Sequence, residues 1–208
     1  MENKANPISV MNDARMDALQ EICNIGIGNA ATSLAQLIDR KISIRVPRAV
    51  LIGIEEIFHA MGGGPEEVVS CALVNIDGDI GGTVLFIFSE QSTYRLVEML
   101  LGQDDGTVVE LDEMGESVVS EIGNVLTSSF MSAISGLTGM NMHVTVPMFA
   151  FDMFGAILST SLVASGHWDD QMLFIETELT QENNHINGEF FLLPETGALN
   201  KLFASLGL

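Results

Sequence analysis

Basic residues are scarce in this chain, with 8 Lys and Arg among 208 residues against 28 Asp and Glu, for a formal net charge of −20. A field of that sign repels phosphate backbones, which excludes nucleic acid as an expected partner. It also disfavours anionic membrane surfaces. Long apolar runs are missing too. Mean hydropathy is +0.34 and 47% of residues are hydrophobic, yet the densest stretch, Met148 to Leu158, is interrupted by Asp152. A membrane helix needs about 20 apolar residues in succession. No membrane insertion is therefore expected, and the apolar surplus goes into a dense core rich in Met and Phe. Two cysteines, Cys23 and Cys71, make no disulfide framework, and both sit among apolar residues. They read as buried free thiols of a reducing compartment. Met1 to Pro7 lacks a basic segment followed by an apolar one, so no signal peptide is visible and a cytoplasmic protein is expected.

Signatures of resident chemistry are equally thin. His59, His143, His167 and His185 are scattered without zinc-ligand spacing. Asp77-x-Asp79 lacks the rest of a calcium loop. Met61-Gly62-Gly63-Gly64-Pro65 is not followed by Gly-Lys-Ser/Thr, and no Gly-x-Ser-x-Gly elbow occurs. No metal site and no cofactor of its own is expected.

What the chain does contain is a repeat. Shifted by 100 residues, Asp17–Val50 aligns with Ser117–Ala150 without gaps. Glu21, Ile22, Asn24, Leu37, Val46 and Pro47 recur as Glu121, Ile122, Asn124, Leu137, Val146 and Pro147. Six identities in 34 positions are modest in number, but two are polar residues inside otherwise apolar helices. Later, Gly82 to Phe88 leads into Tyr94 to Gly102 as Gly188 to Leu193 leads into Leu199 to Gly207. Each pair reads as a strand, a turn, and an amphipathic helix stopped by Gly.

Each half thus predicts the same order of elements. A long helix (11–39, then 112–138) precedes a Pro-containing strand (41–52, 141–151) and a short helix (54–61, 152–164). A hairpin follows (68–76 with 79–88, 171–179 with 184–193), with turns supported by Asp77-Gly78 and Asn183-Asn184. A last helix closes the half (91–101, 195–206). Met61 to Pro65 and Gln103 to Gly106 read as linkers. The expectation is a single α/β domain over 1–208, built from an internally duplicated αβαββα unit. The first repeat covers 11–102 and the second 112–207. Two three-stranded halves joined edge to edge give one six-stranded, pseudo-two-fold symmetric sheet covered by helices. Pro47 and Pro147 imply a sheet edge or bulge beside each long helix.

On a helix, Asp17, Glu21 and Asn24 fall at i, i+4 and i+7 and form one stripe, as do Ser117, Glu121 and Asn124. Their neighbours are apolar or small. An ionised Glu cannot sit unpaired among them without a cost of several kcal/mol, so the stripe must face solvent or a partner. A solvated helix face accounts for one isolated Glu-x-x-Asn. It does not account for the same pair held in register by halves that differ at most other positions. An Asn amide donates and accepts at once and can orient a water molecule. That suffices where the bond to be broken is already labile, as in phosphoryl transfer, which runs on positioning and charge stabilisation.

Both copies, Asp17-x3-Glu21-x2-Asn24-x22-Pro47 and Ser117-x3-Glu121-x2-Asn124-x22-Pro147, resemble the two signatures of the CheC family of chemotaxis phosphatases. The run Asn24 to Thr32 resembles that family's first helix. The resemblance implies hydrolysis of the aspartyl phosphate of a CheY-type response regulator. In that scheme Asn24 and Asn124 position the attacking water, and Glu21 and Glu121 pair with a basic residue of the regulator. Mg²⁺ belongs to the regulator. It also implies CheD, a receptor-modifying deamidase, as a second partner. The alternative is a non-catalytic binding module, either a regulator of CheD or a flagellar-switch relative. A switch relative would carry an extra peptide before the duplicated unit and a further domain after it, and with the spans above neither is expected. One departure from the family pattern is Cys23, where Gly is expected as at 123. A bulkier residue there is expected to alter the approach of a partner. With Asp17 and Cys23 replaced by Ser117 and Gly123, the second site is expected to offer less bulk and less negative charge, and to carry more of the activity.

Overall fold

The computed structural model describes residues 7–165, 171–181 and 184–208. In chain order the elements are α1 (Pro7–Ile38), β1 (Ser43–Gly53), and a 3₁₀ turn (Ile54–Glu56) leading into α2 (Ile57–Met61). The hairpin of β2 (Val68–Gly78) and β3 (Gly82–Ser89) and the helix α3 (Glu90–Leu101) follow. Next come α4 (Glu113–Thr138), β4 (Met142–Val144), β5 (Met148–Met153) and α5 (Phe154–Ser165). The chain ends with β6 (Gln171–Gln181), β7 (Asn184–Pro194) and α6 (Ala198–Ser205). These spans match the sequence-based ones to within a few residues. His167 and Asn183 lie outside the described residues.

Local chemistry sets the helix ends. Asp112 caps α4 by accepting from the Gly115 amide at 2.9 Å, and Ser89 caps α3 through the Ser92 amide. Gly102 and Gly139 close α3 and α4 in the left-handed conformation, at φ 67° and 72°. The linker between α3 and α4 is tied down by Glu98, whose buried carboxylate accepts from the Val108 amide at 2.8 Å.

The strands form one antiparallel sheet in the order β1-β6-β7-β3-β2, with β4 and β5 together along the outer side of β2. Counting β4 and β5 as one broken strand gives the six expected. The halves are not self-contained, however. The first Pro-containing strand, β1, pairs with β6, and its counterpart β4–β5 pairs with β2. Each half lends its outer strand to the other half's hairpin. The hairpins meet at the centre through β3 and β7. These are the natural central strands, because β3 is buried along nearly its whole length. A Pro lacks a ladder donor and is confined to edges or bulges. Pro47 lies at the register shift between Arg45 and Arg48, and Pro147 lies in the gap between β4 and β5.

Helices cover both faces. Val84, Phe86 and Phe88 of β3 enter a core with α1, α3, α4 and α6, while Leu85 and Ile87 alternate into a second core under α2 and α5. Phe174 and Phe191 fill the second core with ring centroids 4.9 Å apart. Burying each such ring contributes about 1.5–3 kcal/mol.

The first hairpin departs from expectation. Asp77 and Gly78 are not its turn. They continue β2 and pair with His143 and Met142 of β4, and Asp79 to Gly81 turn the chain before the Ile76–Gly82 pair. The added strand β4 supplies partners that a lone hairpin would lack. Asp79 accepts from the Asn141 amide at 2.8 Å and donates its own amide to the Asn141 carbonyl at 2.9 Å. Gly78 has φ 123°, and a Cβ there would strike the Asn141 carbonyl, so only glycine fits.

Candidate functional site on the paired long helices

Helices α1 and α4 pack side by side on one face of the sheet, with Gly26 so close to Phe130 that an added Cβ would lie 3.0 Å from its Cα. On α1, Leu19, Ile22, Cys23, Ile27, Ala30 and Leu34 face inward. On α4 the same register is buried, from Val119, Ile122 and Gly123 through Leu126 to Phe130 and Ile134. That spacing of three and four leaves one outward stripe per helix. Asp17, Glu21 and Asn24 are all exposed on α1. Ser117 and Glu121 are exposed on α4, and Asn124 is half-buried. One such stripe lies on each of the two helices. Among the described residues, neither Glu21 nor Glu121 has an ion-pair partner. Both carboxylates are available to an incoming cation.

The second constellation borders a groove of about 440 Å³ lined by Glu113, Glu116, Ser117, Ser120 and Glu121 on one side and by Val146, Pro147 and Phe149 on the other. The break between β4 and β5 makes room for it, and Val146 stands 85% exposed at its wall. Three carboxylates line the groove. One expectation about this site needs correction: residue 23 does not shape a partner's approach. Cys23 is fully buried and faces the core, as Gly123 does. The Gly at 123 is required by the close approach of β2, where a Cβ would overlap the Ala72 methyl. Burial pushes the Cys23 and Cys71 thiols up to about 12, which leaves both unreactive.

Ser117 does not aim its hydroxyl at the groove. It donates back to the Glu113 carbonyl at 2.8 Å. Ser128, one turn beyond Asn124, donates instead to the Asn124 side-chain oxygen at 3.5 Å. Sequence reasoning missed Ser128, Glu113, Glu116 and Phe149. The i+4 spacing from Asn124 would have found the first. The strand break that exposes Phe149 to the groove is invisible in one dimension.

Elsewhere, Glu178 accepts from Arg45 Nε at 3.1 Å and contacts His185 at 3.0 Å. The Arg45 guanidinium, with help from His185, holds its carboxyl below the usual range. Glu189 is different. Burial, with Glu67 and Glu176 nearby, pushes it up to about 7. Both groups belong to the sheet and not to the helix stripes. Among the described residues, no group of three or more His, Cys, Asp or Glu stands close enough to hold a metal ion.

Comparison with known proteins bears on the whole chain. The model of the CheC-like family matches residues 15–51, and that of the chemotaxis phosphatase CheX matches residues 70–163. The chain is 32% identical over 199 residues to the CheY-P phosphatase CheC of Bacillus subtilis, covering 94% of this chain and 95% of that protein. Among solved structures, FliY of Thermotoga maritima has the same fold, at TM-score 0.75 and 18% identity over 98% of both chains. A CheX–CheY–BeF3–Mg²⁺ complex from Borrelia burgdorferi matches at TM-score 0.50 and 15% identity, over 82% of this chain and 96% of that one.

Proposed function

We propose, for a chain that belongs to the CheC family, that the two helix stripes are its two reaction sites. The protein is a phosphatase of a CheY-type response regulator in chemotaxis. Water attacks the phosphorus of the regulator's aspartyl phosphate, the phosphorus–oxygen bond to the carboxylate breaks, and inorganic phosphate leaves. In our reading Asn24 and Asn124 each enter the regulator's site and hold that water in line. Their amides supply a donor and an acceptor together, and a positioned water is most of what a labile phosphoryl bond requires. Glu21 and Glu121, without ion-pair partners among the described residues, dock a basic residue of the regulator. The Mg²⁺ is carried by the regulator as part of the substrate, as the CheX–CheY–BeF3–Mg²⁺ complex suggests. Asp17 and Ser117 support the stripes without touching the reacting atoms.

Residues 11–102 and 112–207 are, on this reading, two copies of one unit within a single domain. We further propose CheD as a second partner, which co-purification tests, and a cytoplasmic location, where phosphorylated regulator is found. No helix among the described residues is long and apolar enough to cross a membrane.

One observation carries the site assignment: the same Glu and Asn, four and seven residues along the same stripe, stand outward on both long helices beside a Pro-broken edge strand. The test is the Asn24→Ala, Asn124→Ala double variant, incubated with phosphorylated regulator and Mg²⁺. Loss of nearly all phosphatase activity with unchanged folding is expected. A double variant as fast as the parent would leave only the non-catalytic binding module.

A further inference from the structure

Several hydroxyls on the long helices turn back onto the backbone one turn earlier. Thr32 donates to the Gly28 carbonyl at 3.0 Å, Ser117 to Glu113 at 2.8 Å, and Thr138 to Ile134 at 2.7 Å. This i−4 pattern is the ordinary resting place of a helical Ser or Thr. Ser128 departs from it. Its hydroxyl passes over the Asn124 carbonyl and is directed to the Asn124 side-chain oxygen, 3.5 Å away. The two halves differ here. The position equivalent to Ser128 on α1 is Gly28, which has no side chain to offer. Asn24 is exposed, whereas Asn124 is half-buried.

We propose that Ser128 is a positioning residue for the second site, which holds the Asn124 amide in the orientation that receives water, and that the first site lacks this device. The inference rests on the reading of Asn124 as the water-positioning residue. A hydroxyl donating to Oδ1 fixes which end of the amide points outward. It leaves both Nδ2 hydrogens and the second Oδ1 lone pair free for the water. An amide free to rotate spends part of its time in other rotamers, and the rate falls in proportion to the fraction in the competent one. The separation of 3.5 Å is long for a hydroxyl donor, as is common in sites that tighten only around substrate.

The register also provides a reciprocal experiment. A Cβ added at Gly28 meets no atom within 4 Å, and its φ is not in the left-handed region. Gly28→Ser therefore installs the missing hydroxyl without strain.

The test isolates each site with an Asn→Ala change in the other. With Asn24→Ala as parent, Ser128→Ala lowers kcat about fivefold, the worth of one hydrogen bond, and leaves KM and the unfolding midpoint in place. Ser128→Thr, which keeps the hydroxyl, restores kcat. With Asn124→Ala as parent, Gly28→Ser raises kcat. An unchanged kcat in Ser128→Ala overturns the proposal, as does a loss carried by KM or by stability alone. A double Asn variant that keeps full activity refutes the site reading itself, which is a separate result.

Discussion

Gly123 lies against Ala72 with no room for a methyl between them, and this contact seats α4 on β2 immediately beside Asn124. Any side chain at 123 forces helix and strand apart. Gly123→Cys, which copies residue 23 into the second half, is expected to destabilise the fold by about 1–3 kcal/mol from overpacking. Gly28→Ala on α1 meets open space and is expected to stabilise by about 0.5–1 kcal/mol, because Ala is the better helix former. Denaturant midpoints at equal m-value decide both. A neutral Gly123→Cys would contradict the close packing described.

The two glycine positions show what one dimension carries. Register between repeats marked residues 23 and 123 as a difference, and helical periodicity placed Glu21, Asn24, Glu121 and Asn124 on outward stripes. Periodicity could also have turned Cys23 inward, since it follows buried Ile22 and falls off the stripe. What no local signal reports is the partner across the contact. Ala72 lies 51 residues from Gly123 in the chain, and its strand belongs to the other half. The exchange of β1 and β4–β5 between hairpins is hidden for the same reason. Proline rules put both strands at edges without saying which hairpin each one borders. Asp77-Gly78 carries a turn signature for a lone hairpin, but β4 alongside extends β2 through both residues.

The pH dependence of stability should show Glu189. Its carboxyl is pushed from 4.5 up to about 7 by burial, with Glu67 and Glu176 adding repulsion, and Glu176 is its direct cross-strand neighbour. A carboxyl raised in the folded state contributes stability that is fully present below its unfolded value and is lost as pH rises through the folded one. Stability is therefore expected to fall between about pH 4.5 and 7, by a few kcal/mol at most. Glu189→Gln removes the ionisable group, flattens that decline and unfolds later than the parent at pH 8. Parallel pH profiles for the two proteins would sink the assignment.

Salt should separate the proposed docking residues from the proposed water-positioning ones. Glu21 and Glu121 stand exposed, so their attraction for a regulator cation is screened within about 10 Å at 0.1 M salt and about 3 Å at 1 M. In single-site variants, Glu21→Ala or Glu121→Ala is expected to raise KM several-fold at low salt, and the gap from the parent should narrow as salt increases. On the proposed roles, Asn24→Ala and Asn124→Ala act on the chemical step and should lower kcat at every ionic strength. Equal salt responses for the Glu and Asn variants would mean that the two residues share one role.

The metal requirement should belong to the substrate. Three carboxylates line the groove at the second site, but among the described residues no three acidic, His or Cys side chains stand close enough together to hold an ion, and Mg²⁺ favours a near-octahedral oxygen shell. Protein dialysed against chelator is therefore expected to regain full activity when Mg²⁺ is returned with the phosphorylated regulator. The Mg²⁺ concentration giving half-maximal rate should equal that for Mg²⁺ binding to the regulator alone, measured separately. Changing Glu21 and Glu121 together should leave that concentration where it is while raising KM for the regulator. A shift of the Mg²⁺ midpoint in the Glu variant, or stoichiometric metal retained by the phosphatase after dialysis, would move the ion onto this chain and require a different account of what the two carboxylates do.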